Sequence, residues 1–303
     1  MKRVLITGAT GLIGSQVCDA MLARGDEVVG LSRDPQRARE SNPTISWHAW
    51  NPAAERPPGA AFAGVDAVIN LVGEQINQRL TEEAKQQIRD SRIRATKNLV
   101  HGMLGATPTP GVLVSQSATG YYGDRGEAIV DEETPADDHF LSQVVVDWEK
   151  EANAAEKGGV RVAIMRTGLV LDPGGGLLKQ LMLPFKLGVG GPLAGGSQFM
   201  PWIHRDDEIG LLLWALDNPQ AQGVYNATAP NPVTNRAFSK ALGTAVKRPS
   251  FMPAPKFAIE ALRGSELTEQ IVASMRVVPR RALDAGYVFR YPEIEPALRD
   301  LVG

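Results

Sequence analysis

Residues Lys2–Gly14 read KRVLITGATGLIG, and this stretch decides the fold. Lys2–Thr7 is a short apolar run with the look of a buried strand. Gly8, Gly11 and Gly14 follow at three-residue spacing, and then Ile13, Val17, Ala20 and Met21 recur with a helical period as far as Gly25. A strand, a glycine turn and a helix in that order make the cradle for a dinucleotide pyrophosphate. The glycines give a tight turn, close approach of backbone to phosphate and close packing of helix on strand. The helix start offers free N–H groups and partial positive charge. The spacing is G-x-x-G-x-x-G rather than G-x-G-x-x-G, and a second strand follows at Glu27–Leu31. Thr10, Leu12 and Ile13 lie between the glycines and share the expected cofactor contact.

The rest of the composition narrows the class. At 303 residues the chain is long enough for about two domains, or one large α/β unit with an appendage. A net charge of −2 argues against a nucleic-acid partner held by bulk positive charge. The single cysteine, Cys18, excludes an internal disulfide and a multi-cysteine zinc site, and four histidines make a metal centre unexpected. No apolar run approaches the ~18 residues of a membrane span. Met1-Lys2-Arg3 leads too soon into the glycine turn to read as a secretory leader. The expectation is a cytoplasmic protein with a small-molecule ligand, no nucleic acid and no membrane.

The end of the second strand selects the cofactor. A carboxylate there would bind ribose hydroxyls and favour NAD, whereas arginine favours the 2′-phosphate of NADP. The strand runs out at Leu31-Ser32-Arg33-Asp34. Ser32 and Arg33 suit a phosphate, Arg33 as a fork. Asp34 is the competing ribose ligand, or a cap for a helix starting near Pro35. The expected cofactor is NADP(H). Thr44–Trp50 reads as a third strand, Asn51–Gly64 as a loop, and Asp66–Gly73 as a fourth strand. That places Leu71, Val72, Gly73 and the following Glu74 beside the cofactor.

Thr81–Leu104 reads as one long helix and Gly111–Ser115 as a fifth strand. The hydroxyl-rich turn SQSATGYYGD follows, with Ser117, Tyr121 and Tyr122 as candidate catalytic groups. The alternative for such a turn is simple strand-end chemistry. Val160–Leu171 is the sixth strand, and Arg166 near its end is a candidate cofactor contact. The alternative is an ion pair with a surface carboxylate.

TGATGLIG, DAVINLVG and SATGYYGD together resemble the extended short-chain dehydrogenase/reductase superfamily of epimerases and dehydratases. NLVGE, the Asp147-Trp148-Glu149 triplet, the block PFKLGVGGPLAGGSQFMPWIHRDD from Pro184 and VPRRALDAGYVFRYP resemble its atypical "epimerase family protein", cell-division-inhibitor-like branch. The resemblance spans nearly the whole chain. It implies a Rossmann-type doubly wound parallel sheet with a smaller C-terminal α/β substrate lobe, and NADP(H) as cofactor. It also implies a possible homodimer through the helices at Thr81–Leu104 and Phe140–Glu156. The superfamily's acid–base pair is a Tyr with a Lys four residues on. Here Tyr121, Tyr122, Tyr225, Tyr287 and Tyr291 are followed at that spacing by Arg125, Gly126, Ala229, Tyr291 and Glu295. The helix that should carry the pair reads FLSQVVVDWEK, without tyrosine.

Beyond Leu171 the pattern gives a short helix at Leu177–Leu187, a glycine-rich loop at Gly188–Ser197 with the look of a lid, a strand at Gln198–His204 and a helix at Asp206–Asn218. His204 is a candidate substrate contact, or a structural hydrogen bonder. Helices are expected at Asn235–Gly243, Pro279–Gly286 and Glu293–Val302. Arg276, Arg280 and Arg281 would line an anionic pocket or form a solvated face. The expected division is a cofactor domain at 1–170, with contributions from about 197–228, and a substrate lobe at 171–303. The function expected is an NADP-dependent oxidoreductase or epimerase acting on a small polar substrate, nucleotide sugars included. The alternative is a non-catalytic NADP(H)-binding sensor or interaction protein.

Overall fold

The computed structural model describes residues 1–74, 76 and 78–303. Seven strands form one sheet: β1 (Arg3–Thr7), β2 (Glu27–Ser32), β3 (Ser46–Ala49), β4 (Ala67–Asn70), β5 (Val112–Ala118), β6 (Arg161–Thr167) and β7 (Gly223–Ala227). Every neighbouring pair is parallel. The spatial order is β7-β6-β5-β4-β1-β2-β3. The order reverses between β1 and β4, and ligands of such sheets bind at the carboxyl ends beside that switch point.

Helices cover both faces, as a parallel sheet requires. On one side α1 (Leu12–Ala23) packs Val17, Cys18 and Met21 into a core that also takes Ala38 of α2 (Pro35–Ser41). On the other, α3 (Glu82–Arg89) leads into α4 (Ala95–Leu104), and Leu99, Val100 and Met103 bury against Leu5, Val68 and Leu113. Each such aliphatic side chain contributes roughly 1.5–3 kcal/mol by leaving water. α5 (Phe140–Asn153) lies alongside α4. The helix expected at Thr81–Leu104 is interrupted by a π turn at Asp90–Arg94. The hydrophobic spacing runs on through it, so the interruption leaves no sequence signal.

The expected fifth strand is longer than anticipated, so Ser117 sits in the strand rather than in the turn after it. The expected sixth strand breaks at Gly168, where a Cβ would overlap the Pro201 carbonyl. Its tail, Leu169–Leu171, pairs with Trp202–His204 in a separate two-stranded sheet. The strand expected at Gln198–His204 breaks at Pro201, and Phe199–Met200 pairs with Val233–Thr234. β7 was not anticipated: its apolar and polar residues do not alternate cleanly.

A separate apolar cluster joins α6 (Gly176–Lys186), α8 (Asn235–Ala245) and α12 (Ile294–Val302) through Leu178, Phe185, Trp202, Phe238, Leu242 and Leu298. α7 (Arg205–Asp217) packs against α1 on the sheet, while α9 (Lys256–Arg263), α10 (Ser265–Val272) and α11 (Arg280–Asp284) complete the chain. No helix among the described residues is long and apolar enough to cross a membrane.

Candidate functional site

A cleft of about 630 Å³ opens at the carboxyl ends of β1, β2 and β4. Its floor is the glycine turn, and backbone geometry explains why glycine stands there. Gly8 has φ +66°, and a Cβ on it would lie 2.7 Å from the Leu71 carbonyl oxygen. On Gly14 a Cβ would overlap the Gly8 carbonyl, so α1 could not approach β1 so closely. Gly11 is the N-cap of α1, with no side-chain cap and no acidic residue in the first turn. The first N–H groups of that helix therefore face the cleft region without an internal partner.

A buried polar network fixes the opposite wall. Thr7 Oγ1 accepts from the amides of Leu71 (3.0 Å) and Val72 (3.2 Å) and donates to Asn70 Oδ1 (2.7 Å). Asn70 Nδ2 in turn donates to Thr96 Oγ1 (3.0 Å) and Ser115 Oγ (3.1 Å), and the Trp148 indole donates to Thr96 (2.8 Å). The chain leaving β4 is thus held against the glycine turn, and Leu71, Val72, Gly73 and Glu74 line the cleft. Ser91, in the π turn, accepts from the Glu74 amide at 3.1 Å.

The far end is basic. Ser32, Arg33 and Arg37 line it, together with Leu31, Ala38 and Trp50. The Ser32 hydroxyl donates to the Asp34 carbonyl and accepts its amide. Asp34 caps α2, its carboxylate accepting from the Arg37 amide at 3.0 Å. One oxygen of that carboxylate caps the helix, and Asp34 also lines the cleft beside Ser32 and Arg33. Arg37 was not anticipated; its spacing of four from Arg33 on either side of the capping motif was the available signal.

At the end of β5, Ser117 Oγ donates to Glu149 Oε1 of α5 at 2.6 Å. Arg166 of β6 donates twice to the same carboxylate, Nε to Oε1 and Nη2 to Oε2, both at 2.8 Å. Its Nη1 donates to the Tyr122 hydroxyl at 3.0 Å, and that hydroxyl donates to Asn226 Oδ1 at 2.7 Å. The guanidinium also lies 3.4 Å from the centre of the half-buried Tyr121 ring. Burial opposes the Arg166 charge, yet the hydrogen bonds and charge of Glu149 hold its pKa above the ordinary value. Burial pushes the Tyr122 phenol up to about 12, so it stays protonated at neutral pH.

Residues 4–228 match the NAD dependent epimerase/dehydratase family. The chain belongs to that family. Residues 254–301 match a domain of unknown function, DUF1731. The solved structure of human epimerase family protein SDR39U1 (isoform 2) with NADPH is 34% identical, covers 99% of both chains and superposes with a TM-score of 0.89. An epimerase family protein SDR39U1 homolog of Arabidopsis thaliana, described as chloroplastic, is 37% identical over 99% of this chain and 86% of its own length. Epimerase family protein YfhF of Bacillus subtilis is 33% identical over 99% of this chain and 97% of its own length.

Within this member of the epimerase/dehydratase family, the structure brings Gly8, Thr10, Gly11, Ser32, Arg33, Leu71, Val72, Gly73 and Glu74 to one cleft. Leu12, Ile13 and Gly14 stand at the start of α1, just outside its lining. Leu12 lies instead against Gly174 and Gly175, and Ile13 packs toward the core. Arg166 is a correction: it is buried, and its fork is filled by Glu149, neither by a surface carboxylate nor by an open cleft. Tyr122 is a second correction, since it is fully buried and immobilised. His204 is a third. It is fully buried, its Nδ1 accepts from the Asp206 amide at the start of α7, its ring stacks on Tyr291, and Nε2 faces Asp300 at 3.3 Å. It ties α12 to α7 and leaves no face for a substrate. Arg280 pairs with Asp131, and Arg281 donates to carbonyls of Gln222 and Val224 at the start of β7, the end of the strand away from the cleft.

Proposed function

We propose that this protein binds NADPH in the cleft at the β1–β4 switch point and acts beside Ser117 on a small polar substrate, nucleotide-linked sugars included. The observation that carries the cofactor reading is the pairing of an uncapped, acid-free helix start with a basic far rim. Gly8, Gly11 and the start of α1 would hold the pyrophosphate, and Ser32, Arg33 and Arg37 the 2′-phosphate. Neither arginine forms an ion pair among the described residues, so both are free to meet a phosphate. Leu31, Ala38 and Trp50 give the apolar wall that an adenine needs. The structure of the human relative with NADPH, 34% identical, supports the same choice. When bound, this cofactor supplies a hydride donor or acceptor.

The chain's own residues would manage the proton. Ser117 is buried at the end of β5 and donates its proton to Glu149, which leaves the oxygen lone pairs to accept a hydrogen bond from a substrate alcohol that reaches it. Tyr121, stacked on Arg166, would form a rigid wall of the substrate site. The usual Tyr/Lys pair is absent, and the phenol of Tyr122 is locked as a neutral donor. This favours a second reading, a non-catalytic NADP(H)-binding sensor. Loss of reduced-nicotinamide absorbance across a panel of aldehydes, ketones and nucleotide sugars separates the two. Turnover that Ser117→Ala removes supports the enzyme; NADPH binding with no turnover across the panel supports the sensor.

A further inference from the structure

The π turn at Asp90–Arg94 presents a cation that the cofactor reading leaves unused. Wide turns of this kind, inserted between two α segments, are frequent at functional sites. Arg92 Nη2 donates to the Glu74 carbonyl at 2.8 Å, and its guanidinium carbon lies 5.4 Å from the Trp148 ring. A Cβ on Gly73 would stand 3.3 Å from that carbon, so the guanidinium flanks the cleft wall. Its remaining contacts, to the Ile88 carbonyl at 3.4 Å and Ser91 Oγ at 3.5 Å, are at the limit of a hydrogen bond.

No carboxylate forms an ion pair with Arg92 among the described residues. Arg166 and Arg161 are differently placed. Arg166 has Glu149, and Arg161 is wrapped by the carbonyls of Ala215, Leu216 and Ala221. Burial pulls the Arg92 pKa down to about 10 against the opposing charge of Glu74, which forms no ion pair with it, and the group stays charged at neutral pH. A sheltered cation with one strong acceptor is costly unless something else supplies the counter-charge.

We propose that Arg92 is the receptor for an oxyanion of the substrate, a carboxylate or a phosphate monoester, a reading that rests on NADPH occupying the adjoining cleft. The cofactor's own phosphates already have groups assigned to them, at the start of α1 and at Arg33 and Arg37. Arg92 packs on Trp148, the neighbour of Glu149, and so belongs to the α5 side, where Ser117 lies. A planar fork matches the two oxygens of either anion.

The test is calorimetric titration of the NADPH-saturated protein with malonate and with inorganic phosphate, repeated on Arg92→Ala and Arg92→Lys. Thermal melts report that each variant is folded. The wild type binds at least one anion. Arg92→Ala weakens that binding by about tenfold or more and Arg92→Lys by less, while NADPH affinity stays within about threefold in both. The identity of the anion that binds separates carboxylate from phosphate. Failure of the wild type to bind either anion overturns the proposal. So does an unchanged anion affinity in Arg92→Ala, or in Arg92→Lys should the alanine variant not fold. A selective loss of NADPH binding in the variants also overturns it, because the guanidinium would then serve the cofactor. Failure of the wild type to bind NADPH at all is read separately and removes the cofactor assignment.

Discussion

Glu149→Gln tests whether the ion pair beneath the substrate site is a structural element. The carboxylate accepts two bonds from Arg166 and one from Ser117 in a site where the two charged side chains are 4% and 9% exposed. The amide removes the charge and turns an N–H₂ group toward a donor. The Arg166 guanidinium is then left in a dry site without a counter-charge, with at most the amide oxygen, the Tyr122 hydroxyl and the faces of two rings. Breaking one side of a buried pair costs about 3–5 kcal/mol. For a chain of 303 residues each kcal/mol lowers the melting temperature by roughly 1.5–2 °C, so a drop of about 5–10 °C is expected. Urea unfolding at neutral pH measures the loss. The double variant Glu149→Leu/Arg166→Met, which removes both charges, should recover most of it, because a well-packed apolar pair is often as stable as a buried ion pair. A Glu149→Gln loss below about 1 kcal/mol, or a double variant no better than the sum of the singles, refutes the reasoning.

Glu208 gives a pH signature. It is fully buried, takes one bond from Thr167 Oγ1 at 2.9 Å, and burial pushes it from 4.5 to about 8. The raised value means that the unfolded chain loses this proton first. Wild-type stability from this group is therefore full below about pH 4.5 and declines as pH rises toward 8. Glu208→Gln should gain on wild type over that window by up to about 1.4 kcal/mol per pH unit, and parallel stability profiles would contradict this. The turn glycines separate packing from binding. Gly14→Ala forces a methyl onto backbone atoms of Gly8 and Ala9 and should cost about 2 kcal/mol or more, whereas Gly11→Ala meets only the Gly8 oxygen at 3.1 Å and should spare stability while weakening NADPH binding. Equal melting temperatures for the two would count against the steric account. Tyr122→Phe loses bonds to Arg166 and Asn226 and should cost about 1–3 kcal/mol, with the pH profile of any turnover unchanged. A lost alkaline limb would show instead that the phenol titrates in catalysis.

The elements legible in the sequence were those whose signals are local. Lys2–Gly14 carries strand, turn and helix in contiguous residues, and the end of the second strand places Ser32 and Arg33 by simple adjacency. Gly73 was placed by its position after an apolar run. What escaped depends on contacts between distant positions. Glu149 and Arg166 are 17 residues apart and meet only because α5 crosses β5 and β6. The burial of His204 depends on α12, which returns almost a hundred residues later to place Asp300 beside it. The π turn adds a residue without disturbing the apolar period, so nothing in Thr81–Leu104 announced that Ser91 and Arg92 face β4. The edge strand β7 was missed because Tyr225 and Asn226 are buried by neighbours, not by a pattern of their own.

The central claim is that the cleft holds NADPH and that its basic rim selects the 2′-phosphate. Fluorescence or calorimetric titration of the purified protein with NADPH and with NADH, beside Arg33→Ala, tests it directly. NADPH should bind at least about tenfold more tightly, a difference of about 1.4 kcal/mol, and the variant should lose that preference while still binding NADH. Equal affinities for the two cofactors, or no binding of either, would contradict the account.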